Sequence, residues 1–161
     1  MLKNPLPAFS RRLATFPLVM RFDPLIIPLE RAVRRISNDR FGVLDIAGQP
    51  SIQITVPGRK SGIPRTTSLL YVPEDDDILL VGSNWGRPKH PVWSANLAAA
   101  VTATVQIRGE EFETSIEALT GAERDKAWQY AIEVWPGYQM EYELAEGREF
   151  RLFRLRRLPR S

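Results

Sequence analysis

Apolar and polar residues alternate along most of the chain after residue 43, and this pattern predicts short β-strands. A period of two is typical of strands that bury one face. Gly, Pro, Asn and Asp residues, which favour turns, separate the alternating segments. The predicted strands cover residues 43–47, 51–56, 66–72, 78–81, 101–107, 111–119 and 150–155.

Helical patterns are fewer. Pro91 begins a short helix, Thr120 and Glu123 form a candidate capping box ahead of a helix that ends near Val134, and residues 138–145 form another helix. Because helices do not regularly separate the strands, a parallel sheet is not expected. The pattern predicts a mainly β protein of the α+β class, built as an antiparallel barrel with peripheral helices.

A further amphipathic helix is predicted to start near Pro28. We therefore treat residues 1–40 as an amino-terminal extension and residues 41–161 as the barrel domain. Docking of the helix on the barrel is one interpretation, and peripheral contact with the inner face of the membrane is the other. The apolar positions, which recur at helical spacing opposite arginines, are Leu25, Ile26, Leu29, Ala32, Val33 and Ile36.

A cationic turn lies between the strands predicted at 51–56 and 66–72. It reads Pro-Gly-Arg-Lys-Ser-Gly-Ile-Pro-Arg over residues 57–65. Gly58 and Gly62 allow a tight backbone, while Arg59, Lys60 and Arg65 can donate charge-assisted hydrogen bonds. The spacing of the glycines differs from that of a P-loop. The turn is therefore a candidate binding site for an anion.

A second loop, residues 83–97, also follows a predicted strand and carries Arg87, Lys89 and His90. Two polar loops that each follow a strand predict one shared cleft. The chain has no cysteine and only one histidine, which excludes thiolate chemistry and argues against a Ser-His-Asp hydrolase. No metal site is expected.

The net charge of +3 is unevenly distributed. Residues 1–40 carry eight Lys or Arg against three acids, and residues 148–161 carry six Arg against one Glu. The cations of the two loops therefore lie in an acidic middle segment, which favours a small anionic ligand. The Arg-rich end alternates like a strand and carries no nucleic-acid-binding motif, so no nucleic-acid partner is expected.

The longest apolar run near the amino terminus is interrupted by Arg21 and Asp23. It is much shorter than the ~20 residues that a membrane-spanning helix needs. No secretory cleavage pattern follows it. We therefore expect a cytoplasmic protein.

In their order and spacing, these segments resemble the deazaflavin-dependent nitroreductase family. Its members carry Gly-Arg-Lys-Ser/Thr-Gly-x-x-Arg-x-x-Pro-Leu, then Ser-x-Gly-Gly-x-x-x-His-Pro-x-Trp-x-x-Asn-Leu, then a tyrosine-rich segment after Tyr-Pro. The match covers about residues 40 to 155. The resemblance implies a split β-barrel of the FMN-binding-like type. It also implies hydride transfer from the reduced 5-deazaflavin coenzyme F420 to a quinone-like, nitro or conjugated enone acceptor.

The resemblance implies cofactor contacts from both loops. Arg59, Lys60 and Arg65 suit the phosphate and carboxylates of the coenzyme, because guanidinium groups bind oxyanions through two donors. The other residues would line the ring or donate hydrogen bonds. The expected set is Arg59, Lys60, Ser61, Gly62, Arg65, Thr67, Ser68, Leu69, Gly82, Ser83, Asn84, Trp85, Val92, Trp93 and Asn96.

On the substrate side, the resemblance points to Trp135, Tyr138 and Glu141. Trp135 and Glu141 stand where family members often have tyrosines. Hydride transfer requires close positioning of donor and acceptor, together with a proton or hydrogen bond for the reduced acceptor. Tyr138 and Ser83 carry hydroxyls and are the catalytic candidates.

Two other functions fit the same barrel. One is an oxidoreductase that binds FMN in place of the deazaflavin. The other is a non-catalytic protein that binds a lipid, haem or cofactor. For the F420-dependent oxidoreductase, the expected partner is a small-molecule acceptor. A homodimer is favoured over a monomer.

Overall fold

The computed structural model describes residues 50–159 and, before them, Pro28, Ala32, Arg35 and Ile36. Seven antiparallel strands form one sheet in the order β2-β1-β5-β6-β7-β4-β3. The sheet curls into a half-barrel, as expected for a mainly β split barrel. The strands are β1 Ser51–Pro57, β2 Pro64–Leu70, β3 Val72–Glu74, β4 Asp77–Val81, β5 Thr102–Ile107, β6 Glu110–Ala118 and β7 Leu152–Arg157.

Three helices accompany this sheet. Helix α1 spans Val92–Ala99, α2 spans Gly121–Val134 and α3 spans Gly137–Leu144. Each lies within two residues of its predicted bounds. Helix α1 connects β4 to β5, whereas α2 and α3 lie between β6 and β7.

The sheet buries both of its faces at β4 and β7. In β4, Ile78 and Leu80 join one apolar cluster with Phe153 and with Leu97 of α1. Leu79 and the next but one residue, Val81, join a second cluster that packs against α2 and α3. This two-sided burial explains why β4 is a continuous apolar run, since residues on both faces of a covered strand avoid water.

Two strand boundaries differ from the prediction. The segment 66–72 contains a break at Tyr71, whose amide donates to the Pro50 carbonyl (3.1 Å). The last strand begins at Leu152, so Phe150 precedes it. Phe150 is buried because it packs edge-on against Trp128 and Tyr142.

The predicted capping box at the start of α2 was wrong. The Thr120 side chain forms no capping hydrogen bond. The Glu123 carboxylate instead accepts a hydrogen bond from Lys126 (3.1 Å) and approaches Arg154 at 3.9 Å. Opposite charge on a neighbouring strand therefore competes successfully for this carboxylate.

Two carboxylates of the acidic segment 74–77 are paired with arginines of β7. Glu74 accepts two hydrogen bonds from Arg154 (2.6 and 3.0 Å), and Asp77 accepts one from Arg156 (3.2 Å). Arg157 is paired with Glu110. The arginines of β7 are thus neutralised by acids of β3, β4 and β6.

The four described residues before position 50 are helical, as predicted for the segment that starts near Pro28. All four are exposed, and Ile36 is 86% exposed. The boundary between residues 40 and 41 and the strand predicted at 43–47 lie outside the described residues. No helix in the described part of the chain is long and apolar enough to cross a membrane. Peripheral membrane contact stays a prediction.

Candidate functional site

The cationic turn between β1 and β2 is closed by its own backbone. The Gly58 amide donates to the Ile63 carbonyl (2.8 Å), and the Gly62 amide donates to the Gly58 carbonyl (2.7 Å). Gly62 has a φ of 68°, a region that favours glycine. This compact turn leaves the side chains of Arg59 and Lys60 exposed at its tip.

Helix α1 fixes the turn from the side. The Asn96 side-chain oxygen accepts a hydrogen bond from the Arg59 amide (3.1 Å). Asn96 is only 7% exposed, so this bond is shielded from competing water. Helix α1 is therefore tied to the cationic turn.

The second loop contains a left-handed turn of three successive residues. The φ angles are 52° at Asn84, 57° at Trp85 and 71° at Gly86. The Asn84 side-chain amide donates to the Lys89 carbonyl (2.7 Å). Asparagine tolerates this conformation, whereas tryptophan rarely adopts it. We refer to residues 84–86 as the left-handed turn.

The two loops face one open cavity of about 700 Å³. One side is cationic and polar, while Pro91, Val92 and Trp93 form an apolar side. Gly58, Thr66 and Pro91 were not in the predicted set. The full lining is Gly58, Arg59, Lys60, Ser61, Arg65, Thr66, Thr67, Asn84, Pro91, Val92, Trp93 and Asn96.

Six residues of the predicted cofactor set lie outside this lining. Gly62 ends the cationic turn, and Leu69 packs against the barrel core. Ser68 lies further along β2 and is half-buried. Gly82 immediately precedes the second loop and is buried, as is Ser83, whereas Trp85 is half-buried.

The substrate-side prediction for Tyr138 is not supported by its position. Tyr138 is 4% exposed and packs in the apolar cluster between the sheet and α2 and α3. Burial, and secondarily the nearby Glu141, raises the pKa of its hydroxyl well above the usual value. Trp135 is half-buried against the same cluster. Neither residue lines the cavity.

Glu141 is a buried carboxyl on α3, behind the second loop. Burial raises its pKa to about 7, although hydrogen bonds from the Ser83 side chain and the Trp85 amide and the charge of Arg148 oppose this shift. Its Oε2 atom is buried without a hydrogen-bond partner. Glu141 does not line the cavity either, so it is not placed to bind substrate there.

The prediction missed Arg148, which holds the second loop. Its guanidinium donates to the carbonyls of Gly82 (3.0 Å), Ser83 (2.5 Å) and Arg87 (3.0 Å). It also lies 3.2 Å from His90 Nδ1. Burial, Arg151 and Arg148 lower the pKa of His90, which favours the neutral imidazole as acceptor. His90 thus helps to hold the loop.

The cavity suits a ligand with both anionic and planar parts. No ion pair links Arg59, Lys60 or Arg65 to an acid among the described residues, in contrast to the paired arginines of β7. Unpaired cations can bind phosphate or carboxylate groups. The ring of Trp93 and the exposed side chain of Val92 offer apolar surface beside them.

Solved structures define the class of fold. One, described as an F420-H2 dependent reductase (FDR-A), is 32% identical and matches with a TM-score of 0.59, covering 66% of this chain and 93% of that chain. Another, described as a domain-swapped dimer, has the same identity and TM-score and is covered to 79%. A haem-binding protein from Mycobacterium smegmatis is 15% identical and matches with a TM-score of 0.52. The match covers 70% of this chain and 48% of that chain. At this low identity the likeness shows the fold alone. The class is the split barrel.

The sequence model of the F420H(2)-dependent quinone reductase family matches residues 30–153. The chain belongs to this family. The Mycobacterium tuberculosis F420H(2)-dependent quinone reductase Rv1261c is 31% identical over 110 residues, which cover 67% of this chain and 74% of that protein. The predicted family, fold and cofactor are confirmed. The chain is an oxidoreductase that depends on reduced F420.

Proposed function

We propose that this protein passes a hydride from reduced F420 to a small-molecule acceptor that is quinone-like, nitro-substituted or a conjugated enone, with quinones foremost. One observation carries the proposal. The cationic turn and the second loop, which are separated in sequence by β2, β3 and β4, line a single cavity that joins unpaired cations to an apolar wall. The names of the similar reductases support a quinone as the first acceptor to test.

The cationic side would hold the anionic end of the coenzyme. Arg59 and Arg65 present planar guanidinium groups, and Lys60 adds a compact charge. The Asn96 contact keeps the Arg59 backbone in place. Because the turn is already closed by its own hydrogen bonds, little ordering would be required when a ligand binds.

The apolar side would hold the ring of the coenzyme, which supplies the hydride when bound. Trp93 and Val92 offer contact surface, and Asn84 offers a polar edge. Their role is to hold donor and acceptor close together and to exclude water. Neither of the two predicted catalytic hydroxyls lines the cavity. Tyr138 is buried in the apolar cluster, and the Ser83 hydroxyl donates to Glu141 behind the loop.

Removal of the two cations at the tip of the turn should weaken cofactor binding. We expect the double substitution Arg59→Ala and Lys60→Ala to raise the Kd for oxidised F420 at least tenfold, equivalent to ~1.4 kcal/mol. A fluorescence titration measures this. The matched control removes two exposed cations elsewhere, Arg108→Ala and Lys126→Ala, and should leave the Kd nearly unchanged.

The same titration separates the other functions. Tight binding of riboflavin phosphate in place of F420 would favour the FMN alternative. Binding of F420 without reduction of a soluble quinone, nitro compound or enone would indicate a carrier. Equal affinities in both double variants would contradict the assignment of Arg59 and Lys60 to the cofactor.

We also propose that the protein forms a homodimer. The description of one similar structure as a domain-swapped dimer supports this. Among the described residues no further strand pairs with β2 or β3 at the ends of the sheet, and unpaired strand edges are common sites of association. Light scattering on the purified protein should give twice the 18.3 kDa chain mass. A single-chain mass across micromolar concentrations would contradict it.

A further inference from the structure

The wall of the cavity depends on two residues behind it. We propose that Glu141 and Arg148 are positioning residues, which hold Asn84 at the cavity by fixing the left-handed turn from its buried side. The expected effect on cofactor affinity rests on the proposed function. The effect on the loop itself does not.

Arg148 holds the loop by donating hydrogen bonds to the backbone carbonyls of the loop. Its contacts with Gly82, Ser83 and Arg87 lie on both sides of the left-handed turn. The guanidinium also stacks over the Phe150 ring at 4.6 Å, so its direction is set by the core. Only a planar fork with several donors can reach these acceptors together, and a lysine ammonium cannot.

Glu141 holds the loop by accepting hydrogen bonds from donors of the loop. Its carboxylate accepts from the Ser83 hydroxyl and from the Trp85 amide, the two residues that flank Asn84. The main chain fits equally closely, because a Cβ added at Gly86 would lie 2.8 Å from the Glu141 carbonyl oxygen. Helix α3 therefore contacts the turn with both side chain and backbone.

The arrangement has an energetic cost that the fold alone does not require. Asn84 and Trp85 occupy a backbone region that L-residues disfavour, and Glu141 buries one oxygen without a partner. Strain and an incompletely satisfied carboxyl beside a cavity are typical of functional sites. A purely structural helix contact would be served by an apolar residue at position 141.

The first test is hydrogen exchange of the ligand-free protein, followed by mass spectrometry on a peptide covering residues 82–90. We expect Glu141→Ala and Arg148→Lys to accelerate exchange in this peptide at least tenfold. Glu141→Gln should stay near wild type because its amide oxygen can still accept from Trp85. Two conservative changes at exposed positions, Glu143→Gln and Arg108→Lys, serve as controls.

The second test is the Kd for oxidised F420 in the same variants. We expect at least a tenfold rise for Glu141→Ala and Arg148→Lys and less than threefold for Glu141→Gln. Unchanged exchange in residues 82–90, or faster exchange throughout α3 and the sheet, would overturn the proposal. If the wild type does not bind F420, the proposed function fails while the exchange data still decide the positioning role. If Glu141→Ala does not fold, Arg148→Lys decides it.

Discussion

Replacement of Gly86 by alanine lowers the free energy of unfolding by about 2–5 kcal/mol. Two costs add. A φ of 71° is disfavoured for any residue with a Cβ, by roughly 1–2 kcal/mol. The new Cβ would also lie 2.8 Å from the Glu141 carbonyl oxygen and 2.9 Å from the Leu144 Cβ, and overpacking of this kind costs roughly 1–3 kcal/mol. Urea denaturation measures the loss.

Gly147→Ala is the matched control for this substitution. Gly147 has a similar φ of 80°, but a Cβ there would meet nothing within 4 Å. It should therefore show only the conformational cost of about 1–2 kcal/mol. Equal losses in the two variants would mean that the close approach of α3 to the left-handed turn is not the source of the effect.

Glu141→Gln should stabilise the protein, and more strongly at high pH. The pKa of this carboxyl is about 7 in the folded protein against 4.5 as a reference. Between these values the native state binds more protons than the unfolded state, so the stability of the wild type falls as pH rises. Above pH 7 the full cost is roughly 3 kcal/mol, at 1.36 kcal/mol for each pKa unit.

The measurement is the difference in free energy of unfolding between Glu141→Gln and wild type at pH 5 and pH 8. We expect a small difference at pH 5 and a gain of roughly 3 kcal/mol at pH 8. The exposed Glu143, changed to Gln, should give the same difference at both values. A gain that does not depend on pH would show that the Glu141 carboxyl is already ionised throughout this range.

The sequence was most informative where burial follows a simple period. Strands β1, β2, β4, β5 and β6 and helices α1, α2 and α3 were predicted within a few residues, because alternation and helical spacing directly reflect which side faces the core. The short strand β3 was missed, since the segment 66–72 was predicted as one strand that ends at an acidic turn. The two loops were also correctly expected to share a cleft. Turn-favouring residues indicate that both loops lie at the ends of strands. The curl of the sheet brings those strand ends together.

The rear of the site could not be predicted in the same way. Tyr138, Glu141 and Ala145 recur at spacings of three and four along α3, and this pattern does indicate one buried face. A glutamate within that pattern was the available signal for an unusual carboxyl. Arg148 carried no such signal, because one arginine in an Arg-rich segment gives no indication that it reaches a loop some 60 residues earlier. Its partners are backbone carbonyls, which sequence does not distinguish.

The ion pairs of β7 have a consequence for the kinetics of ligand capture. Within residues 50–159, the arginines at 154, 156 and 157 are each matched by an acid, while those at the mouth of the cavity are not. Within this part of the chain, a diffusing polyanion would thus be attracted toward the cavity rather than toward β7. Its association rate would decrease as ionic strength increases, whereas its dissociation rate, governed by short-range contacts, would change much less.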